Sequence, residues 1–259
     1  MSVDIVHYGD QFYKDYMSGD FEVTLTKYRK RKIVALMEKY KASDILEIGC
    51  GMEPIFLKYG GFASMTIVEP APQMYESAGG HIENTQNKDR VTLINDFLEN
   101  VTDKLTGVPF DFILDIGLIH EVEDCNAHVE AIKNLCGRDT KVLFVTSNSE
   151  SFHLMLAYES GLIKSPSDLT EKAKGFQRHR TFNMRQMEDF IHGFGFRVLE
   201  KGSYFIKPFS HAQMKRLVDE AIISTQVLDG LDRMVKYMPE LGAELYIVAE
   251  IDNDSVILQ

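Results

Sequence analysis

The chain has 259 residues, of which 44% are apolar and 26% charged, and a formal net charge of −11. This supports the core of one sizeable α/β domain and excludes disordered or fibrous sequence, while the acidic balance argues against a nucleic-acid partner, whose phosphates it would repel. No uninterrupted apolar run approaches about 18 residues, no basic-then-apolar leader opens the chain, and Cys50, Cys125 and Cys136 have neither disulfide-framework nor zinc-site spacing, so a cytoplasmic protein without membrane insertion or a metal is expected.

Residues 1–32 read as an N-terminal lid or helical segment, with Tyr8, Phe12, Tyr13 and Tyr16 among acids. A helix is expected from Thr26, its apolar stripe formed by Ile33, Leu36, Met37 and Tyr40 at steps of three and four. The run Tyr28-Arg-Lys-Arg-Lys32 reads as a solvated face of it. Short apolar strands are predicted at 44–48, 65–69, 91–94, 110–116 and 141–146, with helices such as 72–80 and 124–136 between them. Strands alternating with helices over 33–147 imply a doubly wound, mostly parallel sheet covered on both faces. Residues 148–183 contain no obvious strand and fall where a substrate cap can overlie the crevice. A helix at 184–192, a strand at 196–200 and a last strand at 244–249 complete the sheet within 184–259, with Phe205-Ile206 extending the former strand or forming another edge. A helical excursion over 211–237 carries Met214, Leu217, Val218, Ala221 and Ile222 at helical spacing. This stripe reads first as internal packing and second as a homodimer surface.

The strongest local signal is Leu46-Glu-Ile-Gly-Cys-Gly-Met-Glu-Pro54. Gly49 and Gly51 permit a tight turn at a strand end and a close approach of backbone to ligand; the chain is then expected to enter a helix with exposed amides. Glu69 ends the second strand, where a carboxylate can accept from a ribose diol. A nicotinamide dehydrogenase would also suit this pair.

With these motifs the chain resembles class I S-adenosylmethionine-dependent methyltransferases. The likeness covers residues 33–150 well and the C-terminal strands moderately. It implies a Rossmann-like, seven-stranded sheet with an antiparallel terminal strand and helical cap insertions, and S-adenosyl-L-methionine as cofactor. It places Glu47, Gly49, Cys50 and Gly51 in the first cofactor loop and Glu69 and Pro70 beside the ribose. It further places Asp96 and Phe97 at the adenine, and Gly117 and Leu118 in Gly117-Leu-Ile-His-Glu-Val122 beside the methionine moiety. The family's frequent third glycine is Glu53 here. Glu47 suits a cationic amino group, whereas a pyrophosphate gains little from such an acid.

An alcohol acceptor needs its proton removed, which makes His120, His153 and His179 the candidate bases. Each also reads as an ordinary loop or surface histidine. Arg178, His179 and Arg180, flanked by Phe176 and Phe182, gather donors for an anionic small-molecule substrate, with internal ion pairing to Glu150, Asp168 or Glu171 as the competing reading. Tyr8, Tyr13 and Tyr16 join Arg178 and Arg180 as candidate substrate-binding residues. Phe152-His153, Gly161-Leu-Ile163 and Phe176-Gln-Arg-His-Arg-Thr-Phe182 are similar to methyltransferases encoded with bacterial surface-polysaccharide enzymes. That likeness implies a sugar-containing acceptor and a role in polysaccharide biosynthesis. The expected function is O-methyl transfer to a small anionic or sugar-containing metabolite. N-methylation of a small amine or peptide, a cofactor-binding scaffold without catalysis and an NAD-dependent oxidoreductase are the alternatives.

Overall fold

The structure is a computed structural model that describes residues 4–167 and 180–252. Arg178 and His179 lie outside the described residues, as do Asp168 and Glu171. Helices α1 (Ile5–Met17) and α2 (Phe21–Tyr40) open the chain. The Asp4 and Asp20 carboxylates accept from the amides of His7 and Phe21, and the second of these caps starts α2 ahead of the expected Thr26. Leu25, Tyr28, Ile33, Leu36 and Met37 form its buried stripe. The basic run departs from the expected solvated face. Arg29 turns inward onto Glu22 and Glu244, and Lys30 onto Glu53, whereas Arg31 stays exposed on Asp229.

Seven strands follow: β1 (Asp44–Ile48), β2 (Ser64–Val68), β3 (Val91–Ile94), β4 (Phe112–Ile116), β5 (Lys141–Ser147), β6 (Phe196–Tyr204) and β7 (Glu244–Ile251). Their order is β3-β2-β1-β4-β5-β7-β6. The first five pair in parallel, and β7 runs antiparallel to both β5 and β6. The order reverses between β1 and β4, and a ligand crevice opens beyond the carboxyl ends at such a point. Because β7 is antiparallel to both neighbours, β5 and β6 end on the same edge. There Ser147 and Tyr204 both register with Glu244.

Alternate strand residues feed two apolar layers. Ile45, Ile67, Leu114, Leu143 and Val248 pack towards α2, while Leu46, Val68, Ile113, Phe144 and Ile247 pack towards α4 (Leu98–Leu105), α5 (Cys125–Leu135) and α7 (Met184–His192). Between them α3 (Pro72–Glu83) links β2 to β3, and α6 (Phe152–Glu159) follows β5.

The C-terminal expectations need one correction. Phe205-Ile206 is not strand. Phe205 adopts φ +57, which ends pairing and turns its ring onto Phe21 and Tyr28 at centroid separations of 5.9 and 4.7 Å. The helical excursion over 211–237 is made of α8 (His211–Asp219) and α9 (Thr225–Arg233), with Ala221 between them at φ +53. Met214 is buried and Leu217 and Val218 pack against the core, while Ala221 and Ile222 are exposed, so three of the five stripe residues pack internally. Among the described residues no helix is long and apolar enough to cross a membrane.

Candidate active site

A single cavity of about 1220 Å³ runs along the carboxyl edge of the sheet. It exceeds the roughly 300–1,000 Å³ of a pocket for one drug-sized ligand. Its walls come from the ends of β1, β2 and β4 at one side and from the end of β5, the turn after β6 and the start of β7 at the other.

The first side is built on backbone. Gly49, Gly51 and Gly117 have φ of +67°, +59° and +82°, a region that favours glycine. A Cβ on Gly49 would stand 3.1 Å from the Leu118 methyls, and one on Gly51 3.8 Å from the Phe12 ring. The loop opens a single 3₁₀ turn, Ile55–Leu57, rather than the expected helix. Pro54 precedes that turn, and Glu47 receives its first amide, with the Ile55 N–H 3.0 and 3.1 Å from the two carboxylate oxygens. Burial pushes the Glu47 carboxyl up to about 8, against the Ile55 amide and the Lys30 charge, which pull it down. Glu69, also buried, accepts from the amides of Ala71 at 2.9 Å and Gly51 at 3.3 Å, and burial raises it too. Cys50, Pro70, Phe97, Gly117 and Leu118 line the same side.

Asp96 is not part of this wall. Its Oδ1 takes the Phe97 amide and the Asn100 side chain at 2.8 and 2.7 Å. The acid that does line the wall there is Glu99, one turn along, whose Oε1 is 2.9 Å from His128 Nδ1. His128 is buried, with its other nitrogen 3.7 Å from Asp115. Burial works against its charge, but Asp115 and Glu99 raise it to about 9, so it is a buried cation at neutral pH.

Helix α1 roofs the glycine loop. Tyr8 donates to Glu121 at 2.6 Å, Tyr16 to Glu53 at 2.9 Å, and Gln73 to Asp10 at 2.6 Å. Tyr8 and Tyr16 line the cavity; Tyr13 points away and is 43% exposed.

The second side is built on side chains. His120 is buried, its Nδ1 2.9 Å from Thr146 Oγ1 and its Nε2 3.5 Å from both Ser147 and Glu121. His153 lines the cavity and engages Ser151 through Nδ1 at 3.0 Å. Burial, reinforced by Lys207 and His211, pushes His153 down to about 2, so it is neutral at neutral pH. Arg180 lines the cavity with its guanidinium 5.0 Å above the Phe190 ring and 5.7 Å from Phe182. Glu150, one of the three acids weighed as internal partners of the 178–180 segment, takes the Asn183 side chain at 2.9 Å.

A chain of charged groups, absent from the sequence expectations, completes this side. Lys207 Nζ is 2.8 Å from His211 Nδ1, His211 Nε2 is 3.1 Å from Glu22, and Glu22 is 2.6 Å from Arg29. Arg29 then holds Glu244 through Nε at 2.8 Å and through Nη2, and Tyr204 donates to the same carboxylate. Burial pushes the Glu22 carboxyl up, but Arg29 and His211 outweigh it and hold it well below its ordinary value. The sequence signal was faint: a lysine between Ile206 and Pro208, and a glutamate opening an apolar strand. Among the described residues no group of three or more His, Cys, Asp or Glu is placed to hold a metal ion.

The profile of the family described as "Methyltransferase domain" matches residues 24–201. No curated protein sequence matches the chain. Among solved structures, the chain is similar to a "possible histamine N-methyltransferase" from Thermotoga maritima, with TM-score 0.60, 18% identity and coverage of 96% of this chain and 100% of that one. It is similar to the plantazolicin methyltransferase BamL, solved with a substrate analogue and S-adenosylhomocysteine, at TM-score 0.57 and 15% identity over 94% and 91% of the two chains. The N-methyltransferase NodS from Bradyrhizobium japonicum WM9 aligns at TM-score 0.54 and 11% identity over 89% and 98%. At these identities the likeness concerns the fold. The glycine loop with its two buried acids fits an S-adenosyl ligand, and the sheet carries the antiparallel strand that nicotinamide-binding folds lack. With a family match over most of its length, the chain belongs to the methyltransferase-domain family and is an S-adenosylmethionine-dependent methyltransferase.

Proposed function

We propose that the protein transfers the methyl group of S-adenosylmethionine to an oxygen of a small anionic acceptor. The continuity of the cavity, from the Glu47–Gly51–Glu69 wall to the His153–Lys207–His211 wall, carries this reading. In it, Glu47 holds the ammonium of the cofactor's amino-acid end and Glu69 the ribose hydroxyls. Phe97, Leu98 and Glu99 face the adenine, and Gly117 and Leu118 flank the methionine chain.

The bound cofactor supplies a methyl already activated by a sulfonium, so the protein's task is to align an oxygen with it and take the proton. We take His153, one of the candidate histidines, as the group that meets the acceptor: Ser151 holds its ring through Nδ1, burial with the Lys207 and His211 charges keeps the imidazole neutral, and it takes the proton only once the bound anionic acceptor offsets those charges. His120, held through both nitrogens, orients the loop after β4. Helix α1 and residues 148–167 and 180–183 form the cover that excludes water. Arg180, which lines the cavity, serves in this reading as a donor to the acceptor.

The test is titration with S-adenosylhomocysteine and NAD, followed by mass spectrometry of a metabolite extract incubated with S-adenosylmethionine. Tight S-adenosylhomocysteine binding and a product one methyl heavier on an oxygen are expected. A product methylated on nitrogen would redirect the assignment to an amine acceptor, and cofactor binding with no product from any extract would favour a scaffold.

A further inference from the structure

Asp115 stands near the end of β4, in register with Ile48 of β1 on one side and Phe144 of β5 on the other. It is fully buried, and neither of its oxygens has a hydrogen-bond partner among the described residues. Successive strand residues alternate faces, so it shares with Ile113 the face that α4 and α5 cover. A carboxylate among apolar neighbours is costly to bury, and an apolar side chain would pack there at no such cost. Packing therefore does not account for Asp115. What it holds does: the Nε2 of His128, on α5, lies 3.7 Å from its Oδ1.

The other ring nitrogen of His128 points the opposite way, to Glu99 in the first turn of α4, at 2.9 Å. With a carboxylate beside each nitrogen the ring keeps both protons, and its contact with Glu99 is a charge-assisted hydrogen bond. Burial works against the Glu99 charge, but His128 outweighs it and lowers the carboxyl. Glu99 is thus an ionised acid whose long side chain is tethered at one oxygen. It lines the cavity beside Glu69, Phe97 and Leu98, whereas Asp115 does not reach the cavity. A row of three ionised groups therefore leads from the interior of the sheet to one carboxylate on the wall.

We propose, resting on the methyl-transfer reading above, that Asp115 and His128 are positioning residues that hold Glu99 as a fixed acceptor for the exocyclic amino group of the cofactor's adenine. A carboxylate accepts and cannot donate, so at that place it favours a base edge that offers an N–H over one that offers none. Asp96 is not the reader, because its oxygen already serves the Phe97 amide and Asn100. His128 acts through Glu99, and Asp115 acts through His128. Without them Glu99 is a partly exposed, rotamer-rich side chain that the ligand itself has to order.

The test is calorimetric titration of the full chain with S-adenosylhomocysteine and with its analogue carrying unsubstituted purine in place of adenine. The unaltered protein is expected to prefer the amino-bearing ligand about 10- to 100-fold, the worth of one hydrogen bond to a charged group. Glu99→Met should abolish that preference. His128→Gln should lower it about two- to ten-fold, the cost of ordering one long side chain, while leaving the affinity for the purine analogue unchanged. The double variant His128→Gln/Asp115→Asn, which leaves no buried carboxylate without its cation, should do the same. In the unaltered protein, the NMR signals of the His128 ring, assigned by their absence from His128→Gln, should move further with S-adenosylhomocysteine than with the purine analogue. That measurement decides the matter if the variants do not fold, and equal movement with both ligands overturns the proposal. A preference that survives Glu99→Met also overturns it; if Asp96→Asn removes the preference instead, the amino group belongs to Asp96. His128 variants that weaken both ligands alike overturn the positioning role, since a merely structural pair between α4 and α5 would behave so. If the unaltered protein binds both ligands equally and still transfers methyl groups, only this proposal falls; if it binds neither, the methyl-transfer reading falls with it.

Discussion

At the cofactor end, Glu47, Gly49, Gly51 and Glu69 come from two consecutive strand ends and the turn between them, whereas at the acceptor end Glu22, Arg29, His153, Lys207, His211 and Glu244 come from α2, α6, the turn after β6, α8 and the start of β7. The first end is built of backbone shape and two buried acids. The second is built of side chains held in place by one another. A cofactor that never changes can be met by a rigid loop. An acceptor can be changed by altering a few side chains around an unaltered clamp, and this division separates the two sets of expected mutational effects.

The largest effect is expected at the acceptor end. His153→Gln should lower kcat about 10²- to 10⁴-fold, the usual range for a general base. Calorimetry should find S-adenosylhomocysteine affinity within about two-fold of the parent, because truncating an acceptor-side group leaves the cofactor contacts intact. A parallel loss of both would show that the two ends are not separable. Next comes the clamp. Arg29→Met leaves the buried Glu244 and the half-buried Glu22 without their cation, and breaking a buried pair typically costs about 3–5 kcal/mol. Denaturant unfolding should register that loss, and Glu244→Gln should restore part of it in the double variant.

At the cofactor end, Glu69→Ala should weaken S-adenosylhomocysteine about 10- to 100-fold, the worth of charge-assisted hydrogen bonds to two hydroxyls. The corresponding 2′-deoxy ligand should lose less in the variant than in the parent. Glu47 makes the same end sensitive to pH. Its carboxyl stands near 8 against an ordinary 4.5, so below 8 it must shed a proton before it can hold the ligand's ammonium. Affinity should therefore rise with pH up to about 8 and then level, by at most about ten-fold per pH unit. Glu47→Gln should flatten the profile. The raised value also sets the sign for stability: its contribution is complete below pH 4.5 and is lost as pH rises through 8. His128, raised from 6.5 to about 9, acts in the same direction over the higher window, losing its contribution as pH rises through 9. Melting curves of Glu47→Gln and His128→Gln from pH 5 to 9 should each lose one part of that decline.

The sheet, and the grouping of Glu47, Gly49, Gly51 and Glu69 on one cavity wall, were readable from sequence because their signals are contiguous. Five-residue apolar strands, a glycine turn and an acid at the next strand end fall within one stretch of chain, and neighbouring strands must lie beside one another in the sheet. Asp96 stands off the cavity wall for a local reason: the start of α4 uses its oxygen on the Phe97 amide and Asn100, and Glu99 lines the wall there. The acceptor end was nearly invisible. Glu22 and Glu244 are far apart along the chain, and only the antiparallel return of β7 beside β5 and β6 brings Glu244 to α2. A helix such as α2 with charges on most turns reads as solvated unless the partners of Arg29 and Lys30 are known. The end of β6 was misjudged because a phenylalanine with φ +57 carries no turn signal; its ring, packed on Phe21 and Tyr28, holds that conformation.

The roof offers the smallest and most discriminating effect, since α1 touches both ends. Tyr8 ties it to Glu121, beside His120, and Tyr16 ties it to Glu53 in the glycine loop. If α1 must lift for the ligand to enter or leave, Tyr8→Phe and Tyr16→Phe each remove one hydroxyl-to-carboxylate bond, worth about 1 kcal/mol, and should speed S-adenosylhomocysteine release several-fold. Stopped-flow displacement measures this directly. Tyr13→Phe, at an exposed position away from the cavity, should leave the rate unchanged. The two ties should also be distinguishable: Tyr16→Phe acts on cofactor release alone, whereas Tyr8→Phe, next to the loop that carries His120, also raises the acceptor KM. Release rates equal to those of the parent in both variants would mean that the ligand enters without moving α1, and that the roof is a fixed wall.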